Sequence, residues 1–258
     1  MTKDLAREIK LKISYLDSLN ESKYCFGRRK VIDNFLLENS KINSYRIEYP
    51  SFRSNVKLKG FSNQEGYKLL RAAFIWGRDN FDGVSINEDY IKELNFRLSP
   101  HSHLKDCPAY RDRNIQISGS LITPPYPAKF REIEMPNLIF EVNSALGKKG
   151  RTSFNSLETA MFVHFHLVRI HPFDDGNGRV SRMLQDIILD KARLPIPIIL
   201  SSERQTYYDC IRQGIKGKRE EGKEMSLKSE PSNGERVFYN FVGGKFNVSL
   251  DKIIDNCS

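Results

Sequence analysis

The chain contains two long patterns of apolar residues at helical spacing, separated by a short polar loop. The first runs from Leu157 to Ile170, lacks Gly and Pro, and follows Asn155 and Ser156, both favourable helix N-caps. Since Pro172 restricts the residue before it, this helix should end there. The second pattern repeats apolar residues at intervals of three and four positions: Val180, Met183, Leu184, Ile187 and Ile188. The pattern therefore predicts two helices joined by a loop.

Weaker patterns organise the rest of the chain. Helices are predicted at Glu65–Asn80 and Asn87–Leu98, and a further short helix at Arg28–Asn39. From Lys216 to Arg236, Lys, Glu, Ser, Gly and Pro dominate, which predicts a polar linker or tail. Beyond it the chain regains Phe, Tyr and Val, and a small strand or helix is expected. We therefore expect an N-terminal helical region (1–84), a central domain (85–215), and a polar linker with a short C-terminal segment (216–258).

The loop between the two central helices concentrates polar chemistry. Gly176-Asn177-Gly178 lies at the predicted start of a helix, where glycines allow a ligand to approach the backbone and unpaired N–H groups attract anions. Arg179 and Arg182 lie three residues apart, so both guanidinium groups can face one ligand and contact phosphate oxygens. The start of this helix therefore predicts a polyphosphate site.

Two further side chains of the loop complete a reactive set. Asp175 can carry Mg²⁺, which prefers one or two carboxylates together with substrate phosphates. His171 has an ordinary pKa near neutrality and is suited to take a proton from an attacking hydroxyl. Together these groups predict phosphoryl or nucleotidyl transfer, in which positioning and charge stabilisation supply most of the catalysis.

Composition adds bounds to this picture. A formal net charge of +9 favours acidic surfaces or polyphosphates without identifying a partner. The four cysteines are widely separated and form no Cys-x-x-Cys pair, so reduced thiols are expected. The N-terminus shows early acidic residues and no long apolar run, and no segment approaches the roughly 20 apolar residues that span a bilayer. The sequence therefore predicts a cytoplasmic protein without a membrane partner.

Residues 171–182 resemble the Fic motif, His-x-Phe-x-(Asp/Glu)-Gly-Asn-Gly-Arg-x-x-Arg, and fill each of its fixed positions. The resemblance extends over roughly residues 85 to 215 and includes Tyr110-Arg111, the stretch from Ile115 to Pro125, and Tyr207-Tyr208. It implies a mainly α fold, a Fic-type helical bundle with a short β-hairpin flap near the active-site loop. It also implies transfer of AMP from ATP to a hydroxyl side chain of a target protein. The related Doc branch has a different loop and phosphorylates its target.

The resemblance also implies a role for each motif residue. His171 would be the base that deprotonates the target hydroxyl, and Asp175 would hold Mg²⁺ on the α- and β-phosphates. Arg179 would contact the phosphates, and Arg182 would hold the γ-phosphate. The remaining implied roles are an anion hole, a buried structural anchor and a possible adenine wall, assigned respectively to Gly176-Asn177-Gly178, Phe173, and Tyr207 or Tyr208.

A flap for the target protein is expected at Arg113–Thr123. This segment alternates loosely, contains β-branched residues and meets Pro124 and Pro125, which is typical of a strand or hairpin. In Fic proteins the corresponding flap pairs with an extended piece of the target, which is the edge-strand mode of recognition. An ordinary surface hairpin is the alternative. The sequence identifies neither the target nor the oligomeric state.

Many Fic proteins carry an inhibitory helix with the pattern (Ser/Thr)-x-x-x-Glu-(Gly/Asn), whose glutamate pairs with the second motif arginine. The nearest match here is Asn34 to Asn39, with Glu38 as the inhibitory residue and Asn34 where Ser or Thr is expected. Glu65 is the runner-up, but Ser62 lies one residue too close to it. A solvated Glu38 without any regulatory role is the simpler alternative.

Three other functions remain to be weighed. His164, His166 and His171 invite a zinc site, but His166 points away from the other two and no acidic cluster accompanies them; His164 is better explained as a hydrogen-bonded core residue. A basic nucleic-acid-binding module is permitted by the charge, although no recognition element is visible. Some regulated Fic proteins also remove AMP, and in that case Glu38 would help to position water.

Overall fold

The computed structural model describes residues 1–18, 32, 63–99, 107–117 and 122–257. Within these ranges the regular structure is helical and includes no strand. In chain order the α-helices are α1 Lys3–Asp17, α2 Asn63–Asp79, α3 Glu88–Leu98, α4 Pro127–Lys129, α5 Met135–Leu146, α6 Ser153–Ile170, α7 Asn177–Lys191, α8 Arg204–Glu221 and α9 Asn233–Cys257. A π-helical turn at Phe130–Glu134 joins α4 to α5, and a 3-10 turn at Ser201–Glu203 precedes α8.

The two helices that flank the polar loop form the centre of the core. Nearly every residue of α6 from Ser156 onward is buried, and α7 is buried almost as completely. Helix α6 packs on α5 and α7, while α2 and α3 cover the other side of α7. Because both helices are enclosed on all sides, the loop between them is held by rigid neighbours at each end. The expected mainly α fold is confirmed.

The start of α6 differs from the prediction. Thr152 is the N-cap: its Oγ1 accepts from the Asn155 N–H at 3.1 Å, and the Asn155 Oδ1 accepts from the Thr152 N–H at 3.2 Å. Asn155 was expected as a possible cap and instead completes this capping box from the third helical position. The helices predicted at Glu65–Asn80 and Asn87–Leu98 correspond closely to α2 and to α3, and the Asn87 Oδ1 accepts from the Tyr90 N–H.

The C-terminal part of the chain corrects a second prediction. Residues 216–221 continue α8, and α9 is a 25-residue helix where a linker and a short segment were expected. One face of α9 is fully buried against α8, α1 and α6: Phe238, Val242, Phe246, Leu250 and Ile253. The backbones of α8 and α9 lie so close at Gly234 that a Cβ added there would be 2.2 Å from the Gln213 carbonyl oxygen. Composition was misleading because Lys and Glu also favour helices.

Two other expectations fall partly or wholly outside the described residues. Of the predicted flap Arg113–Thr123, residues 113–117 and 122–123 are described and form no strand, so the β-hairpin stays a prediction. The predicted helix at Arg28–Asn39, apart from Ile32, lies outside the described residues. None of the helices in the described ranges combines the length and apolar character needed to cross a bilayer.

Candidate functional site

The backbone of the polar loop is fixed by two turns. His171 ends α6 in the left-handed region, with φ 55° and ψ 56°, and its N–H donates to the Leu167 carbonyl. A non-glycine residue in this region costs on the order of 1–3 kcal/mol and persists only where its surroundings hold it. Asn177 closes the other turn, since its side chain accepts from the Phe173 N–H at 3.0 Å and donates to the Phe173 carbonyl at 2.8 Å. Its side chain therefore shapes the loop, while its N–H remains at the helix start.

The N-terminus of α7 requires glycine at its N-cap. Gly176 is the N-cap with φ 79°, and a Cβ there would lie 2.3 Å from the Ser99 Oγ and 2.7 Å from the Asn95 Nδ2. Asn95 also donates to the Asp175 carbonyl at 3.0 Å, which joins α3 to the loop. The first hydrogen bond within α7 runs from the Val180 N–H to the Gly176 carbonyl, so the amides of residues 177 and 178 point out of the helix end. The arrangement suits an anion.

The His171 ring is held in a single tautomer. Its Nδ1 lies 3.1 Å from the Val168 carbonyl oxygen, which can only accept, so Nδ1 carries the proton and Nε2 is left as the basic nitrogen. Burial lowers the pKa of His171 to about 4, and the positive charge of Arg111 acts in the same direction. The ring is consequently neutral near pH 7, which is the state required of a general base.

Asp175 and Arg179 form an ion pair at the start of α7. Arg179 NH2 contacts the Asp175 Oδ2 at 2.8 Å, and this arginine is largely buried whereas the Asp175 side chain is 31% exposed. In the described part of the chain no group of three or more His, Cys, Asp or Glu could hold a metal. A cation held by protein ligands alone does not fit these residues. A single carboxylate beside an anion site does fit Mg²⁺, which usually takes its other ligands from substrate phosphates and water.

Arg182 stands at the head of a buried chain of hydrogen bonds. Its guanidinium can only donate, so the Tyr207 hydroxyl accepts from it at 3.2 Å and in turn donates to the His164 Nε2 at 2.7 Å. The His164 Nδ1 then donates to the Gln185 Oε1 at 2.8 Å, and the Gln185 Nε2 to the Asp186 Oδ1 at 3.1 Å. Burial lowers the pKa of His164 to about 3, so its ring remains neutral within this series of hydrogen bonds. His164 is thus a hydrogen-bonded core residue.

Arg111 is a residue of this region for which the sequence analysis predicted no role. It is 1% exposed, and its three guanidinium nitrogens each donate to a backbone carbonyl: those of His171, Arg113 and Pro125. Burial lowers the pKa of its guanidinium group. The neighbouring Tyr110 ring packs on Phe173 at 5.3 Å between centroids, and Phe173 is buried at the position expected of an anchor. The Tyr110-Arg111 pair was visible in the sequence, but nothing local predicted its contacts.

The other candidate residues are placed as follows. Tyr207 is fully buried and packs on Phe238, so it presents no exposed ring face to adenine; Tyr208, which is half-buried, remains available for that role. Glu38 lies outside the described residues, and the side chain of Glu65 is likewise not described. His166 is buried, with its Nε2 3.6 Å from the Glu235 Oε1, and the Lys218 Nζ lies 3.6 Å from the same oxygen.

Comparison with known proteins identifies the domain. The Fic/DOC family model matches residues 85–189. The protein adenylyltransferase Fic of Nematostella vectensis is 35% identical over 133 residues, which cover 52% of this chain and 30% of that protein. The protein adenylyltransferase Fic of Aedes aegypti is 32% identical over 127 residues, which cover 49% of this chain and 24% of that protein. The aligned part therefore spans less than a third of these relatives.

Solved structures show the same fold. A Fic domain containing signaling protein from Bacteroides thetaiotaomicron superposes with a TM-score of 0.74 at 19% identity, covering 98% of this chain and 96% of that one. Fic-1 from C. elegans superposes with a TM-score of 0.67 at 17% identity, covering 98% of this chain and 72% of that one. The chain therefore shares the fold of these proteins, and its residues 85–189 match the Fic/DOC family model.

Proposed function

We propose that this protein is an adenylyltransferase that moves AMP from ATP to a hydroxyl side chain of another protein. The observation that carries the proposal is a neutral His171, with Nδ1 bound to the Val168 carbonyl, in the same loop as the anion-attracting start of α7. The curated relatives are named protein adenylyltransferase, which supports AMP as the transferred group. The retained Gly176-Asn177-Gly178 turn favours this reaction over the phosphorylation associated with the Doc branch.

In the proposed reaction, the Nε2 of His171 accepts the proton of the target hydroxyl. The hydroxyl oxygen attacks the α-phosphorus of ATP, the bond to the bridging oxygen breaks, and pyrophosphate leaves with the electron pair. The amides at the start of α7 and the guanidinium groups of Arg179 and Arg182 would bind the phosphate oxygens and stabilise the developing charge. Bound Mg²⁺, held through Asp175, would neutralise phosphate charge and hold the α- and β-phosphates in place.

The acceptor is proposed to be a protein segment that docks near Arg113–Thr123. Among the solved relatives of the fold, IbpAFic2 was crystallised in complex with adenylylated Cdc42; it superposes with a TM-score of 0.50 at 17% identity and covers 96% of this chain. That complex concerns IbpAFic2 and its own target. For this chain it supports a protein acceptor, whose identity and mode of docking are left to experiment.

The first experiment compares ATP labelled on the α-phosphate with ATP labelled on the γ-phosphate, with Mg²⁺ and a cell lysate as the source of targets. Label should enter protein from the α-phosphate alone. His171→Ala should lower this labelling by roughly 10²–10⁴-fold, because it removes the general base, while ATP binding persists. Label from the γ-phosphate would establish a kinase reaction instead. Salt-dependent DNA binding without nucleotide turnover would favour the nucleic-acid-binding alternative.

Regulation by Glu38 is a second part of the proposal and rests on the sequence pattern alone. A charge-assisted pair between Glu38 and Arg182 would contribute on the order of 1.5–3 kcal/mol and would oppose binding of the γ-phosphate. Glu38→Gly should therefore tighten ATP binding and increase labelling, whereas Glu65→Gly should change neither. Equal behaviour of wild type and Glu38→Gly in both measurements would remove Glu38 from the mechanism. Loss of AMP removal in Glu38→Gly would instead assign it to the reverse activity.

A further inference from the structure

Arg111 connects three separate parts of the chain through a single side chain. Its Nε donates to the His171 carbonyl at 2.8 Å, its NH1 to the Arg113 carbonyl at 2.7 Å, and its NH2 to the Pro125 carbonyl at 2.5 Å. The backbone N–H of Arg111 donates to the Pro172 carbonyl at 2.9 Å. The residue carrying the basic nitrogen and the backbone on both sides of the predicted docking segment are therefore held by one rigid planar group.

The surroundings of Arg111 keep this group in place. The guanidinium lies over the Phe130 ring, 4.5 Å from its centroid, and Arg131 donates to the carbonyl of Arg111 itself. A second link joins the same two regions at the surface, where the Arg113 Nε lies 3.0 Å from the Asp174 Oδ1. Because each nitrogen of the Arg111 side chain is engaged with a different carbonyl, moving one of these segments requires moving the others or breaking a buried hydrogen bond.

We propose that Arg111 is a positioning residue, which sets the separation between the His171 ring and the backbone at Arg113 and Pro125. The proposal rests on the AMP transfer proposed above, because the backbone near Arg113 is where the acceptor segment would dock. Arg111 is buried and its guanidinium nitrogens donate to backbone carbonyls, so it acts through the backbone that it holds. It fixes the distance between the hydroxyl of the docked acceptor and the Nε2 of His171. A displacement of about 1 Å at such a contact can lower a rate by roughly 10²-fold.

Arg111→Lys is the informative substitution. Lysine keeps the charge but offers one nitrogen in place of a planar fork, so it cannot reach three carbonyls at once. Arg151→Lys is the matched control: Arg151 is half-buried and likewise donates to backbone carbonyls, of Leu146 at 2.6 Å and Gly83 at 3.2 Å. Burial lowers the pKa of Arg151 as it does that of Arg111. Both variants lose a comparable structural arginine, but only one lies at the site.

Two measurements are made on each full-length variant. Hydrogen exchange is followed in peptides covering 108–126 and 167–178, and it does not depend on any activity. In Arg111→Lys, exchange should become faster in both peptides together, and in Arg151→Lys in neither. Transfer of α-labelled AMP to protein is then measured beside ATP affinity. Arg111→Lys should lose roughly 10–10²-fold in transfer with ATP affinity unchanged, while Arg151→Lys keeps both.

The outcomes separate the two proposals. Unchanged exchange in either peptide, or full transfer in Arg111→Lys, overturns the positioning role, as does a parallel loss of ATP affinity. If Arg111→Lys does not fold, exchange in the two wild-type peptides is followed over increasing urea instead. Segments joined through Arg111 should lose protection at the same urea concentration, and loss at different concentrations would overturn the role. If wild type transfers no AMP, the proposed function fails, and exchange alone decides whether Arg111 couples the segments.

Discussion

At the scale of single residues, the chain places Arg182 beside a polar network whose direction is fixed. The guanidinium can only donate. Each group that follows it therefore accepts one hydrogen bond and donates the next, in the order Tyr207, His164 and Gln185. Such a network holds the arginine at one end and a buried carboxyl group, Asp186, at the other. The hydroxyl of Tyr207 is therefore better explained as support for Arg182 than as part of an adenine pocket.

This network predicts how mutations change the binding affinity for ATP relative to that for ADP. Arg182→Ala should weaken ATP binding more than ADP binding if its guanidinium holds the terminal phosphate. Tyr207→Phe should reproduce part of that difference, because Arg182 loses an acceptor while the ring is kept. It should also lower the free energy of unfolding by about 1–3 kcal/mol, since the buried His164 Nε2 is left without its donor. Calorimetric titration with AMP, ADP and ATP measures the first effect, and urea unfolding the second.

Tyr90→Phe provides the control for this series. The Tyr90 hydroxyl donates to the Gly77 carbonyl at 2.8 Å, so the substitution removes a partly buried phenol hydrogen bond away from Arg182. It should lower stability without changing the order of nucleotide affinities. Equal weakening of ATP and ADP in Arg182→Ala would remove the γ-phosphate assignment. A Tyr207→Phe variant with wild-type affinity for ATP would show that the network does not support the arginine.

The same residues mark the limit of local sequence patterns. The motif predicts that Arg182 faces a ligand, because its spacing from Arg179 and its place in a helix are both local properties. The contacts of Tyr207 and Arg111 depend on how helices and loops meet in space. Arg111 reaches the His171 carbonyl across 60 positions of sequence, and no periodicity encodes that approach. The motif residues could therefore be predicted, whereas their supporting residues could not.

At the scale of elements, α9 shows why composition is a weak guide to a helix. Its buried residues recur every three to four positions, but Gly, Ser and charged residues lie between them. The polar residues before it are also engaged: the Lys218 ammonium donates to the Lys223 and Glu224 carbonyls at 2.9 and 2.8 Å. The patterns around the polar loop were strong because α6 and α7 are enclosed by the core. The pattern of α9 was weak because it covers the core with a single face.

A matched pair of substitutions tests this position of α9. Leu250 is fully buried and Val248, two residues earlier, is 49% exposed. Leu250→Ala should lower the free energy of unfolding by about 2–5 kcal/mol, which is the usual effect of emptying a buried aliphatic site. Val248→Ala should stay within about 0.5 kcal/mol of wild type. Urea unfolding of both variants measures the difference. Similar losses of unfolding free energy in the two variants would mean that this segment is a tail without a packed face.

At the scale of the whole molecule, burial sets the charge state of the core. Burial lowers the pKa values of His164, His166 and His171, so each remains neutral where an unfolded histidine begins to bind a proton. Asp186 behaves in the opposite sense, because burial raises the pKa of its carboxyl well above the ordinary value. Among the described residues, its Oδ2 has no hydrogen-bond partner, which is consistent with an uncharged carboxyl group.

These shifts predict how the stability of the folded chain depends on pH. Below pH 6.5 histidines bind protons in the unfolded chain but stay neutral in the folded chain. The free energy of unfolding therefore falls with falling pH, by up to about 1.4 kcal/mol per pH unit for each histidine. Burial raises the pKa of the Asp186 carboxyl, so its contribution is present below its ordinary pKa and is lost as pH rises through the raised value. Since three histidines oppose one carboxyl group, stability should rise from pH 5 to about 6.5, and the rise should be less steep than the histidines alone would give.

Asp186→Asn separates the two contributions. Asparagine keeps the shape of the protonated acid and does not titrate, so the rise in stability between pH 5 and 6.5 should become steeper. Urea unfolding midpoints at intervals between pH 5 and 8 measure this slope. A flat profile between pH 5 and 6.5 in wild type would mean that these histidines titrate alike in the folded and unfolded chain. An unchanged slope in Asp186→Asn would mean that the carboxyl group of Asp186 titrates alike in both states.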